Sequence, residues 1–95
     1  MTSRVDRIEG ALLGLAAGDA LGAGYEFGPP VTGPVDMIGG GPFNWEPGEW
    51  TDDTQLAICI AKNSHAGGID LNAVGDGFIS WAEDVPDIGI QTRRV

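Results

Sequence analysis

The segment from Gly22 to Trp50 limits what this chain can fold into more than any other: 13 of its 29 positions are Gly or Pro, including Gly39-Gly40-Gly41-Pro42 and Glu46-Pro47-Gly48. Glycine loses the most backbone freedom on folding and proline lacks a donor, so no long helix or strand is expected to run through it. Loops beyond about 12 to 15 residues are uncommon inside compact domains and are usually functional or disordered. Tyr25, Phe27, Phe43, Trp45 and Trp50 are interleaved here, which argues against disorder. The expectation is a long loop that packs and lines something, with regular structure confined to its flanks.

Those flanks read as helices. Ser3 and Asp6 form a capping pair, and Val5, Ile8, Leu12 and Leu15 then fall on one stripe at 100° per residue. Gly10, Gly14 and Gly18 recur at four-residue spacing on the other side, a flat face where a second backbone can approach, so this helix is expected to pack on both sides. Asp19 continues the apolar stripe; an acid there needs partners, unless the helix has already ended near Gly18. A second helix is predicted from Thr51, or just after it, to about Ser64, ending at Gly67-Gly68, and is apolar most of the way round and therefore central. A third begins after Asp70, carries Leu71, Val74, Phe78, Trp81 and Val85 on one stripe, and closes at Pro86. With no alternating strand and no internal repeat, the pattern is all-α with a long structured loop.

Fourteen acids against five Lys and Arg give a net charge of −9, which argues against tracking a phosphate backbone or an anionic membrane surface. Arg93-Arg94 are too few to bind nucleic acid by charge. The apolar run from Ala11 to Ala17 is broken by Gly14 and followed by Asp19, unlike a secretory signal or a membrane span. A single cysteine, Cys59, favours a cytoplasmic setting. The acids are unevenly placed: no Lys, Arg or His lies between Arg7 and Lys62, whereas Glu9, Asp19, Glu26, Asp36, Glu46, Glu49, Asp52 and Asp53 all do. Either other parts of the fold supply counter-charge or some of these carboxylates bind cations.

The sharpest local feature is Trp50-Thr51-Asp52-Asp53-Thr54, where the loop enters the second helix. Two carboxylates and a hydroxyl in one turn offer the hard oxygen ligands that Mg²⁺, Mn²⁺ or Ca²⁺ prefer. The same residues suit plain capping, with Thr51 as N-cap and each acid favouring the helix dipole by roughly 0.3 to 1 kcal/mol; taken alone, the motif favours capping. Glu46 and Glu49 nearby weaken the capping reading a little, because four carboxylates in eight residues repel unless a cation is close, and they read equally as solvated loop acids. Glu26, between Tyr25 and Phe27, reads either as an exposed loop acid or as a carboxyl raised by apolar surroundings and suited to a general base. The Gly39 to Gly41 run lacks the Lys-Ser/Thr of a P-loop, His65 reads as a helix-terminal residue, and Cys59 as a buried inert thiol.

In combination, Gly10-Ala-Leu-Leu-Gly-Leu-Ala-Ala-Gly-Asp-Ala-Leu-Gly22, Tyr25-Glu26-Phe27 and Trp50-Thr-Asp-Asp-Thr54 resemble the start of the ADP-ribosylglycohydrolase family, in order and spacing. Asp87-Ile88-Gly89 with Thr92 resembles the segment after that family's third helix. The resemblance implies an orthogonal multi-helix domain of which residues 1–95 form the N-terminal part, since no Asp-x-Asp-Thr motif, the family's second ligand group, occurs here. It implies a two-metal centre of Mg²⁺ or Mn²⁺, with Thr51, Asp52 and Asp53 as the first group of metal ligands and Glu26 as the glutamate beside them. No ligand role is assigned to Asp19. The implied reaction is metal-dependent hydrolysis of the bond between ADP-ribose and an acceptor, on an ADP-ribosylated protein or a small-molecule conjugate, with Glu26 or a water held by Asp52 as base. The diphosphate is expected to meet backbone N–H groups rather than Lys or Arg. The alternative is a non-catalytic remnant or binding module for a divalent cation or ADP-ribose, and either reading allows the rest of the domain as a partner.

Overall fold

The computed structural model describes residues 3–85 and 88–94. In order along the chain are α1 (Arg4–Gly22), α2 (Asp52–Lys62), β1 (Ser64–His65), β2 (Gly68–Ile69), α3 (Leu71–Asp84) and α4 (Ile90–Arg94). The helical class is as expected, and a two-residue antiparallel hairpin is the addition.

α1 opens as the sequence predicts. Ser3 Oγ accepts from the Asp6 N–H at 3.0 Å, and Asp6 Oδ2 accepts from the Ser3 N–H at 3.2 Å. The helix continues through Gly18 to Gly22, so Asp19 is helical. The packing expected on both sides of α1 is not found. A Cβ built on Gly10, Gly14 or Gly18 would meet nothing within 4 Å. The apolar stripe is open too, with Val5 and Ile8 61% and 59% exposed. The buried part of α1 lies at its C-terminal end, at Ala20.

α2 stops at Lys62, short of the predicted Ser64, because the next two side chains take up its last carbonyls. Asn63 Nδ2 donates to Cys59 O at 2.8 Å and Ser64 Oγ donates to Ile60 O at 2.6 Å. The chain then turns through the hairpin, pairing Ser64 with Ile69 and His65 with Gly68. His65 is therefore the last residue of β1 rather than a helix terminus, its Nδ1 accepting from the Gly67 N–H at 3.0 Å.

α3 begins at the predicted place, with Asp70 Oδ1 accepting from the Ala73 N–H at 3.1 Å, and ends at Asp84. Pro86, expected to close it, lies outside the described residues. α2 sits between α1 and α3, as its apolar girth implied. Gly77 of α3 lies directly against Cys59, where any Cβ would overlap Sγ. Beside that contact, Trp81 Nε1 donates to Gln55 Oε1 at 2.6 Å.

The molecule is a slab of 44 × 40 × 19 Å with a radius of gyration of 15.2 Å. A compact chain of this length would have a radius of roughly 12 Å. Among the described residues, the buried side chains are Ala20, Ala23, Val74, Thr51 and Thr54. Four of these five lie where α1 ends and α2 begins, so the best-sealed part of the fold is that junction. Among the described residues no helix is long and apolar enough to cross a membrane.

Candidate functional site at the junction of the first two helices

The long loop carries the chain from the end of α1 to the start of α2, and it is held by its own contacts rather than packed into a core, Phe27 and Trp50 staying 66% and 47% exposed. The Tyr25 hydroxyl accepts from the Asp36 N–H at 3.1 Å and donates to Asp36 O at 3.2 Å, tying two arms of the loop together. Gly24 lies under Gly39, where a Cβ would overlap the Gly39 carbonyl oxygen. Gly39 has φ +63°, and a Cβ there would sit 2.5 Å from Trp45 O, so glycine is required on both counts. Gly40 and Trp45 exchange backbone hydrogen bonds at 2.7 and 2.9 Å. Phe43 then stacks between Phe27, edge-on at 6.4 Å, and Trp45 at 5.6 Å.

At the loop's exit, Thr51 is the N-cap of α2 with extended backbone, but its side chain makes no capping bond. Asp19 performs that task from 32 residues away. Its Oδ2 accepts from the Thr51 N–H at 2.7 Å, the Thr54 N–H at 3.1 Å and Thr54 Oγ1 at 2.7 Å, while Oδ1 accepts from Thr51 Oγ1 at 2.5 Å. Burial pushes the Asp19 carboxyl upward, yet the four donors from Thr51 and Thr54 outweigh it and hold the group below the ordinary carboxylate value. The capping reading of Thr51 is thus half correct: the residue stands at the cap, and Asp19 supplies the oxygen.

Asp19, Glu26, Thr51 and Asp53 line one cleft of about 210 Å³, together with Gly18, Gly22 and Ala23. Three of the residues with candidate roles, Glu26, Thr51 and Asp53, therefore share a wall-to-wall space. Asp53 is raised above its usual value, first by partial burial and then by the charges of Asp52 and Asp19. Asp52 is not part of that lining: its Oδ1 lies 3.1 Å from Thr51 Oγ1, and its Oδ2 faces Gly89 at the head of α4. Glu26 is exposed rather than sealed among the rings of Tyr25 and Phe27, because Phe27 takes φ +67° and packs towards Phe43.

Glu26 also borders a second cleft, of about 440 Å³, with Phe27, Phe43, Ile88, Arg93 and Arg94. α4 thus brings two cations to a cleft with Glu26, one of the acids between Arg7 and Lys62. Asp87, which the resemblance matches to the segment after the third helix, lies outside the described residues.

Chemically the first cleft offers hard oxygen donors, a negative field and, among the described residues, no basic side chain in its lining. Among the described residues no three His, Cys, Asp or Glu side chains converge closely enough to hold a metal ion by themselves. The donors present fit a divalent cation in kind. Thr51 Oγ1 gives its proton to a carboxylate and keeps lone pairs for a ligand role, and the raised Asp53 is the group that a nearby cation would relieve. Asp19 is the residue whose part the sequence did not disclose; its place on an otherwise apolar stripe was the signal.

The family model for ADP-ribosylglycohydrolase matches residues 1–95. The chain is 47% identical over 79 residues to the ADP-ribosylarginine hydrolase Tri1 of Serratia proteamaculans, covering 81% of this chain and 22% of that protein. It is 37% identical over 99 residues to the glycohydrolase of ADP-ribosyl-dinitrogen reductase from Rhodospirillum rubrum, covering 94% of this chain and 33% of that protein. An uncharacterized Escherichia coli protein, YegU, is 34% identical over 92 residues, 83% of this chain and 28% of that one. The chain thus spans a fifth to a third of the length of these relatives. No solved structure is matched significantly.

Proposed function

This chain belongs to the ADP-ribosylglycohydrolase family, and we propose that it supplies part of the active site of a metal-dependent hydrolase that removes ADP-ribose from an acceptor, the activity residing in the complete domain. The observation that carries this reading is the single cleft shared by Glu26, Thr51 and Asp53, with Asp52 one residue behind its rim. Thr51, Asp52 and Asp53 would hold Mg²⁺ or Mn²⁺, which when bound would polarise the ribose hydroxyls or a water. Glu26, exposed and lining both clefts, would take a proton from an attacking water as general base. Cleavage at an anomeric carbon passes through a cationic state, and the carboxylates lining the first cleft would stabilise that positive charge. Arg93 and Arg94, across the second cleft from Glu26, suit the diphosphate of the same ligand.

The relatives named for ADP-ribosylarginine and for dinitrogen reductase favour an ADP-ribosylated protein as substrate. A cytoplasmic location, read from the lone cysteine, is part of the proposal. The test is a chimera in which this chain replaces the matched segment of the Serratia relative. With Mn²⁺ it should release ADP-ribose from an ADP-ribosylarginine peptide, and Asp52→Ala with Asp53→Ala should abolish release. A chimera that folds and binds ADP-ribose without hydrolysing the peptide would favour the binding module instead.

A further inference from the structure

An N-cap threonine ordinarily spends its hydroxyl oxygen on the N–H of the third helical residue. Here that N–H, of Thr54, goes to Asp19 Oδ2, and so do the Thr51 N–H and the Thr54 hydroxyl. Thr51 Oγ1 is therefore released from capping, and it acts instead as a donor, to Asp19 Oδ1 at 2.5 Å, with Asp52 Oδ1 the more distant acceptor at 3.1 Å. A hydroxyl that donates its proton to a carboxylate has its lone pairs free and enriched in electron density. Thr51 is 2% exposed and Thr54 1%, so these bonds are shielded from competing water.

We propose that Asp19 is a positioning residue: by capping α2 in place of Thr51, it turns the Thr51 hydroxyl into a ligand oxygen and fixes its direction towards the shared cleft. This rests on the reading of Thr51 as a metal ligand. Asp19 touches no substrate in this scheme and acts through Thr51 alone. Its acceptor pattern is what matters, since an asparagine in the same place would present an amide that donates to Thr51 Oγ1 and consumes the lone pair that a cation needs. Partners of this kind, one shell behind a ligand, typically change metal affinity by about 10- to 100-fold.

The experiment is calorimetric titration of the chain with Mn²⁺, alongside helicity by far-UV circular dichroism and amide hydrogen exchange at Thr51 and Thr54 in the metal-free state. Asp19→Asn should weaken Mn²⁺ binding about 10-fold or more while helicity is kept, and Thr51→Ala should weaken it to a similar degree. The double variant should be no weaker than Thr51→Ala alone. Thr54→Val, which removes one of the same bonds without touching Thr51, should lower stability and leave Mn²⁺ affinity close to wild type; a purely structural Asp19 would make this variant and Asp19→Asn behave alike. Unchanged affinity in a folded Asp19→Asn variant overturns the proposal, as does a double variant whose loss is the product of the two single losses. If the wild type itself gives no Mn²⁺ heat, the metal reading of Thr51 fails, and the ligand-positioning role fails with it. Faster exchange at Thr51 and Thr54 in Asp19→Asn would then show that the cap stands without it.

Discussion

Asp19 meets four donors with one carboxylate, and its removal would leave two backbone N–H groups and the Thr54 hydroxyl of the junction without that acceptor, the Thr51 hydroxyl keeping Asp52 Oδ1 at 3.1 Å. Asp19→Ala should therefore cost about 2 to 3 kcal/mol of stability, measured by urea unfolding, which is more than loss of an ordinary cap. The pH dependence has a definite sign. Because the folded carboxyl lies below its unfolded value, its contribution is complete above the ordinary carboxylate range and is lost as pH falls through the lower folded value. Thermal melts of the wild type should fall steeply at acid pH, and Asp19→Asn should remove that part of the fall. Asp53 works in the opposite direction. Its folded value is raised by partial burial and by its acidic neighbours, so the ionised form disfavours the metal-free fold at neutral pH. Asp53→Asn should raise the metal-free melting temperature, by only roughly 1 to 3 °C because the group is exposed and screened, while abolishing Mn²⁺ binding.

At the scale of elements, α3 lies directly against α2 at Gly77 and Cys59. Gly77→Ala gains about 1 kcal/mol of helix propensity but forces a methyl into Sγ, and overpacking of this kind costs roughly 1 to 3 kcal/mol. The net effect should be destabilising, and adding Cys59→Ala should recover much of it, a coupling that a double-mutant cycle by chemical denaturation would measure. Elements whose determinants are local were legible in the sequence. The Ser3–Asp6 box and the Asp70 cap each link residues three apart, and both stand where the sequence put them. The hairpin was not legible, because two-residue strands are too short to alternate. Nor was the cap of α2, whose oxygen comes from a different helix. The candidate site divides along the same line: Thr51 and Asp53 were found from a contiguous motif, whereas Asp19's partners and the arrival of Arg93 and Arg94 beside Glu26 depend on tertiary placement.

Taken whole, the molecule is a thin slab with its apolar helix faces uncovered. Leu13, Leu71 and Ile79 are 70%, 76% and 65% exposed, and the glycine face of α1 is open along its length. Exposed apolar area on this scale is rare on monomeric proteins and marks surfaces that associate. The isolated chain should accordingly enhance ANS fluorescence in its native state and unfold with a shallow dependence on urea, since the slope follows the area newly exposed. The bond from Asp19 to Thr51 has a kinetic meaning as well. It closes a ring of 32 residues, and bringing such ends together costs on the order of 3 kcal/mol in chain entropy. Its glycines and prolines offer no regular structure that could shorten the search, so the encounter of α1 with α2 is the step expected to set the folding barrier. Variants that weaken this clasp should slow refolding in stopped-flow experiments more than they hasten unfolding, making the two ends of the loop the nucleus from which the slab assembles.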